Sequence, residues 1–196
     1  MTCEERERPR RPAPEKRPPF PGPRRARAMA LLLAGGALLL AATECRRDRA
    51  AGSVLADALN AVYAIEGRDV RLIQGRSEAR AAPGSEAMIV ASVFGSPVPG
   101  DIDGENGEDA ALILVHSPGG SGTFYYVAAF LGSGRTAKGS NAVLLGDRVA
   151  PQNVSIEGRA IVVNYADRLP GEPMSAPPGV GKTLRLAVKD GRLAAR

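Results

Sequence analysis

The sequence predicts an α+β domain that is mostly β, with one N-terminal helix packed on an antiparallel sheet or partly closed barrel. Three observations carry this. From about Val70 onward, apolar residues recur with period two or in short runs, the pattern of strands. The links between runs are short and rich in Gly, Pro, Asn and Asp. Parallel crossovers need about a dozen residues or more, so short links favour antiparallel pairing. Only one segment, starting at Ser53, shows helical spacing, and no repeat period points to a solenoid or propeller.

Taken in order, Ser53 can cap a helix through about Ile65. Val54, Leu55, Leu59, Val62 and Ile65 share one face, and Gly67 stops it. Val70–Ile73 and Met88–Phe94 read as strands. Ala111–Val115 and Thr123–Leu131 are the strongest, joined by a hairpin-like loop at Pro118–Gly122. Ala142–Leu145, Val154–Ile156 and Ile161–Tyr165 continue the series. Glu157-Gly158 and Asp190-Gly191 are tight-turn pairs. Leu184, Leu186 and Val188 alternate with Arg185, Ala187 and Lys189, so the last long strand is half buried. The folded part, 52–196, is long enough for one domain with a real core.

Residues 1–27 form a basic Pro/Arg-rich extension with eight Arg and one Lys against four Glu. That excess equals the +5 of the whole chain, so the remainder sums to zero. The basic pI therefore belongs to the extension and carries no nucleic-acid reading for the domain. The chain has no Trp and 4% aromatic residues, a poor supply of base-stacking platforms.

Residues 28–45 read as a signal peptide or an uncleaved anchor. The apolar block Ala28–Thr43 follows Arg24, Arg25 and Arg27 and is short for a membrane span. Arg46, Arg47 and Arg49 lie just beyond it, where positive charge resists translocation. Cys45 stands where a lipoprotein cysteine would, although Glu44 replaces the small residue expected before it. Cys45 is thus a candidate for lipidation. The other cysteine, Cys3, lies in the extension, so the domain holds no internal disulfide. Starting at Met29 would delete the basic flank, so an upstream start is expected. Export to the periplasm or a membrane-anchored place in the bacterial envelope follows.

The densest ligand chemistry is Asp101-Ile-Asp103-Gly-Glu105-Asn106-Gly107-Glu-Asp109, directly before the apolar run 110–115. Calcium takes six to eight oxygens, so a loop that binds it needs carboxylates that converge without clashing backbone. Asp101, Asp103 and Glu105 hold positions one, three and five. Gly107 offers a carbonyl at position seven, and Asp109 closes the site at nine. Asn106 can take the left-handed bend. Four carboxylates this close repel unless a cation neutralises them.

The loop resembles the short calcium loops of integrin-type FG-GAP modules, Asp-x-Asp/Asn-x-Asp-Gly-x-x-Asp before a strand. The resemblance implies Ca2+ as cofactor, held by Asp101, Asp103, Glu105 and Asp109. Glu105 is longer than the usual Asp, and Asn106 replaces the turn glycine. Leu112 at position twelve excludes an EF-hand.

Other motifs are weaker. Ala176-Pro-Pro-Gly-Val-Gly181-Lys182-Thr183 looks like a phosphate loop, but an alternating strand follows where a helix is needed. Ser121 in Gly119-Gly-Ser-Gly-Thr123, with His116 as the only histidine, suggests a hydrolase pair. Thr123 breaks the nucleophile-elbow pattern, and no helix follows it. Asp147-Arg148 and Asp167-Arg168 form either an anionic-ligand pocket or structural ion pairs that close loops.

From Asn60 to about Val188 the chain resembles a family of uncharacterised exported bacterial proteins, many of them lipoproteins and some found with META-type domains. The matching stretches are Ala82-Pro-Gly-Ser85, Gly100-Asp-Ile-Asp-Gly104, Asp109-Ala-Ala-Leu, Pro118-Gly-Gly-Ser-Gly-Thr-Phe-Tyr-Tyr126, Asn141-Ala-Val-Leu-Leu-Gly-Asp-Arg148 and Asn164-Tyr-Ala-Asp-Arg168. The resemblance implies export and one β-rich domain, and it implies no reaction. The expected function is a non-catalytic binding or structural module of the cell envelope, stabilised by one calcium ion. Its partner would be an envelope component or a small ligand. The alternative is a secreted hydrolase using Ser121 and His116.

Overall fold

Alternation of apolar side chains, punctuated by left-handed turns, builds three antiparallel sheets. A computed structural model describes residues 52–105, 107–132 and 137–196. The basic extension, the apolar block, Cys45 and Asn106 lie outside the described residues. No helix among the described residues is long and apolar enough to cross a membrane.

The strands are β1 (Val62–Ile65), β2 (Arg68–Arg71), β3 (Arg76–Arg80), β4 (Met88–Gly100), β5 (Asp109–Ser117), β6 (Phe124–Leu131), β7 (Lys138–Gly139) and β8 (Val143–Asp147). After them come β9 (Ala150–Glu157), β10 (Ala160–Asp167), β11 (Val180–Lys189) and β12 (Arg192–Ala195). β1 and β2 form a hairpin, and β12-β11-β10-β9 form a four-stranded sheet. β3-β4-β5-β6-β7 form the central sheet, with β8 also pairing β6.

The helix is shorter than its periodicity suggests. It covers residues 52–58, and Val62–Ile65 is the strand β1. Asn60 terminates it: its side-chain amide donates to the Ala56 carbonyl at 2.8 Å, and its Oδ1 accepts from Gln74 N at 3.0 Å. Gly67 is not a helix stop. Glu66 (φ 51) and Gly67 (φ 77) turn β1 into β2. Two-residue turns of this left-handed kind match the twist of paired strands. Asp190-Gly191 (φ 51 and 69) does the same between β11 and β12, as the sequence predicts. At the β9–β10 turn the two central residues are Gly158 (φ 53) and Arg159 (φ 64), one place later than Glu157-Gly158.

The middle of the central sheet, β5 and β6, is buried on both faces, which explains why β5 is a continuous apolar run. Ala111 and Ile113, with Val127 and Ala129 of β6, pack against Ile161, Val163 and Leu186 of the four-stranded sheet. Leu112 and Leu114, with Tyr126 and Ala128, pack against Tyr63, Ile65 and Leu72 beneath the hairpin. Ala110 and Phe130 meet Val54 and Ala58 of the short helix. Each fully buried branched side chain contributes roughly 1.5–3 kcal/mol of transfer free energy, so these layers dominate stability. The hairpin is also stitched to the central sheet by backbone bonds. Ala64 N donates to Ser140 O at 3.2 Å, and Ala142 N donates to Ala64 O at 2.8 Å.

Candidate metal centre

The acidic loop connects β4 to β5, so two paired strands fix both of its ends: Gly100 lies opposite Asp109 in the ladder. Asp109 is fully buried. One carboxylate oxygen accepts from Ile102 N at 2.8 Å and from Asp103 N at 3.2 Å. The other accepts from Gly132 N, just past β6, at 2.9 Å. Ile102 is also buried and anchors the loop in the core between the sheets. Smaller turns shape the rest. Asp101 Oδ1 accepts from Gly104 N at 2.6 Å, and Asp103 Oδ1 accepts from Glu105 N at 2.9 Å. Such Asx turns are how short acids bend a backbone.

The outcome is convergence. One carboxylate oxygen each from Asp101, Asp103 and Asp109 lie within 4.8 Å of one another, an arrangement that could hold a metal ion. At about 5 Å, two carboxylates repel by roughly 3 kcal/mol at an effective dielectric near 20. Burial pushes the Asp109 carboxyl up. The amides of Ile102, Gly132 and Asp103 pull it back, and the Asp103 charge pushes it up again. Arg159 brings a positive charge to the triad, with Nε 3.4 Å from Asp101 Oδ2. The left-handed β9–β10 turn carries that arginine to the loop.

Glu105 is exposed and stands outside the convergent group, and Gly107 is half-buried. Sequence reasoning missed Arg159 and Gly132. A side chain on Gly132 would overlap the Glu108 carbonyl, so the backbone approaches too closely for any other residue. The Leu-Gly-Ser-Gly stretch after β6 was the only signal. Glu108 Oε2 is also buried without a hydrogen-bond partner.

The two Asp-Arg segments do come together, as loop closures. Arg168 donates from Nε to Ala176 O at 2.6 Å and from Nη1 to Arg148 O at 3.0 Å and Asp147 O at 3.4 Å. Asp147 Oδ1 accepts from Thr123 N at 2.9 Å, and Arg148 Nη1 lies 3.5 Å from Asp147 Oδ2. Asp167 takes a bond from its neighbour Arg168 N at 2.7 Å and an ion pair from Lys182 at 2.6 Å. The Lys182 bond, then the Arg168 amide, hold the Asp167 carboxyl below the usual carboxylate range. Lys182 and Thr183 of the phosphate-loop look-alike therefore lie in β11. Their partners are Asp167 and Asn164.

Ser121 is exposed in the β5–β6 loop, and Arg148 Nη2 donates to its backbone carbonyl. His116 is buried in β5, edge-on to Tyr126 at 6.2 Å between ring centroids. No hydrogen bond joins Ser121 to His116 among the described residues. A scan against protein-family models finds no match, and searches of curated proteins and of solved structures also find none.

Proposed function

We propose that the chain is an exported envelope module of binding or structural kind, in which one calcium ion staples the β4–β5 loop. The observation that carries this reading is the convergence of Asp101, Asp103 and Asp109 within 4.8 Å. The donors are all hard oxygens, which suit calcium or magnesium rather than a thiolate-seeking metal. Calcium's loose geometry suits a loop with exposed positions better than magnesium's strict octahedron. A cation there would relieve the repulsion within the triad and favour ionised Asp109. Glu105 and the Gly107 carbonyl stand close enough in sequence to complete the shell. Export rests on the apolar block 28–43 with its basic flank, and membrane association on Cys45 or an uncleaved block. The Ala64 bonds to Ser140 and Ala142 support a sheet that curls over the hairpin toward a partly closed barrel.

Thermal melts test the ion. Calcium at a hundred times its dissociation constant adds about 2.7 kcal/mol, a rise of several degrees over chelator. Identical melts in millimolar calcium and in chelator would remove the ion from this reading. Mass spectrometry of the mature N-terminus tests export, because it reports cleavage and lipid on Cys45 together.

A further inference from the structure

His116 is the only histidine of the chain, and neither the acidic loop nor the arginine corner, where Arg168 ties Ala176 to the Asp147–Arg148 segment, uses it. Its ring lies on the face of the central sheet that the β1–β2 hairpin covers. Its ladder neighbours on that sheet are apolar, Ala91 of β4 and Phe124 of β6. The side chain is about nine-tenths buried, and Nδ1 has no hydrogen-bond partner. Among the described residues, the titratable and charged groups that act on it are few. Tyr126 of β6 stands edge-on, and Glu66 and Arg68 come from the turn and strand of the hairpin. Glu66 is already engaged: Tyr126 donates its hydroxyl to Glu66 Oε1 at 2.7 Å.

We propose that His116 is an acid-sensitive latch for the hairpin: protonating its ring releases β1–β2 from the central sheet while β9–β12 stay paired. A charged imidazolium in this layer needs water or an ion-pair partner. With Glu66 held by Tyr126, the ready source of water is the hairpin lifting away, which carries Glu66 with it. A two-stranded hairpin has little stability of its own. Its hold on the sheet is the apolar layer, the Ala64 bonds and the Tyr126–Glu66 bond, so opening can be local. Release would uncover Tyr63, Ile65 and Leu72 together with Leu112 and Leu114.

The sign follows from the burial. Burial holds His116 below the ordinary imidazole range; Glu66 opposes this and Arg68 adds to it. The unfolded chain therefore takes its proton first. The full contribution is present above about pH 6.5 and is lost as the pH falls below it. Asp109, pushed up by burial, acts in the opposite direction, because acid relieves its charge.

Amide exchange on the full chain, with the single histidine followed by NMR, tests the latch. Between about pH 7.5 and 5.5, after correction for intrinsic rates, Ala64 and Leu72 should lose several-fold more protection than Val163 of β10. His116→Phe should abolish this extra loss. Tyr126→Phe should lower hairpin protection at both pH values and keep the pH dependence. Equal loss at Val163, or an unchanged loss in His116→Phe, would overturn the proposal. If His116→Phe does not fold, the wild-type data decide: a histidine midpoint at or above about 6.5 overturns it.

Discussion

The β4–β5 loop and the arginine corner use one device with opposite polarity. In the loop, the buried acceptor Asp109 gathers the amides of Ile102, Asp103 and Gly132. At the corner, the donor Arg168 gathers the carbonyls of Ala176, Arg148 and Asp147. Each ties two other backbone segments to its own. The difference lies in how the acids are arranged. At the corner each stands beside its own cation, since Asp147 has Arg148 and Asp167 has Lys182. In the loop three carboxylates converge, with Arg159 beside Asp101. A structural tie and a candidate ion site can thus look alike in sequence and differ in whether the acids stand singly or converge.

The largest effect should come from breaking the loop's hub. Asp109→Ala leaves three inward-facing amides without their acceptor and should cost roughly 3 kcal/mol in urea unfolding. Gly132→Ala should destabilise too, because a side chain there meets the Glu108 carbonyl. A loss below about 1 kcal/mol for Asp109→Ala would show that the hub is dispensable.

Next in size is the corner. Arg168→Ala should cost about 2 kcal/mol by the same measurement and raise protease sensitivity between residues 168 and 179. Arg168→Lys should recover only a fraction, since an ammonium cannot fork between Ala176 and the Asp147–Arg148 carbonyls. Full recovery by lysine would mean that the charge matters and the fork does not.

The comparison sharpens further with Arg159→Ala. The exposed pair with Asp101 is worth about half a kcal/mol, so stability should barely move. Calcium affinity measured by calorimetry should rise roughly twofold or more, because the arginine competes for the same carboxylate. Weaker calcium binding in this variant would mean that Arg159 shapes the loop instead.

The smallest effect concerns the ion pair Asp167–Lys182. The folded Asp167 carboxyl sits below its ordinary value of 3.8, so its contribution is present above about pH 4 and is lost as pH falls through the folded value. Lys182→Ala should remove this acid-side loss, and added salt should mimic the variant. An acid profile that does not differ between the two proteins would discard the pair as a stabiliser.

Much of the fold was legible. The run 111–115, the glycine-rich loop at 118–122 and the alternation at 184–188 became β5, the β5–β6 connection and β11. The failures have physical reasons. Val62 and Ile65 fit a helical stripe with Val54 and Leu59. They are also the two ends of a four-residue strand, and a short apolar stretch satisfies both periods. β3 reads Arg-Ser-Glu-Ala-Arg and has no apolar face to detect, because it lies at the edge of its sheet.

For the site, local chemistry was enough to find Asp101, Asp103 and Asp109, since acids at alternate positions before a strand are a local pattern. It was not enough to rank them. Turn residues and alternation are written within a few neighbours, so the sequence alone determined the mostly antiparallel class and the position of the acidic loop. Gly132 reaches Asp109 across 23 positions, Arg159 reaches Asp101 from another sheet, and Tyr126 reaches Glu66 across 60 positions. Strand pairing over such distances is cooperative and is settled by how both faces of one central sheet are buried. Only the tertiary structure could therefore decide that Asp109 is a hub, that Arg168 is its counterpart, and that His116 lies beneath a hairpin.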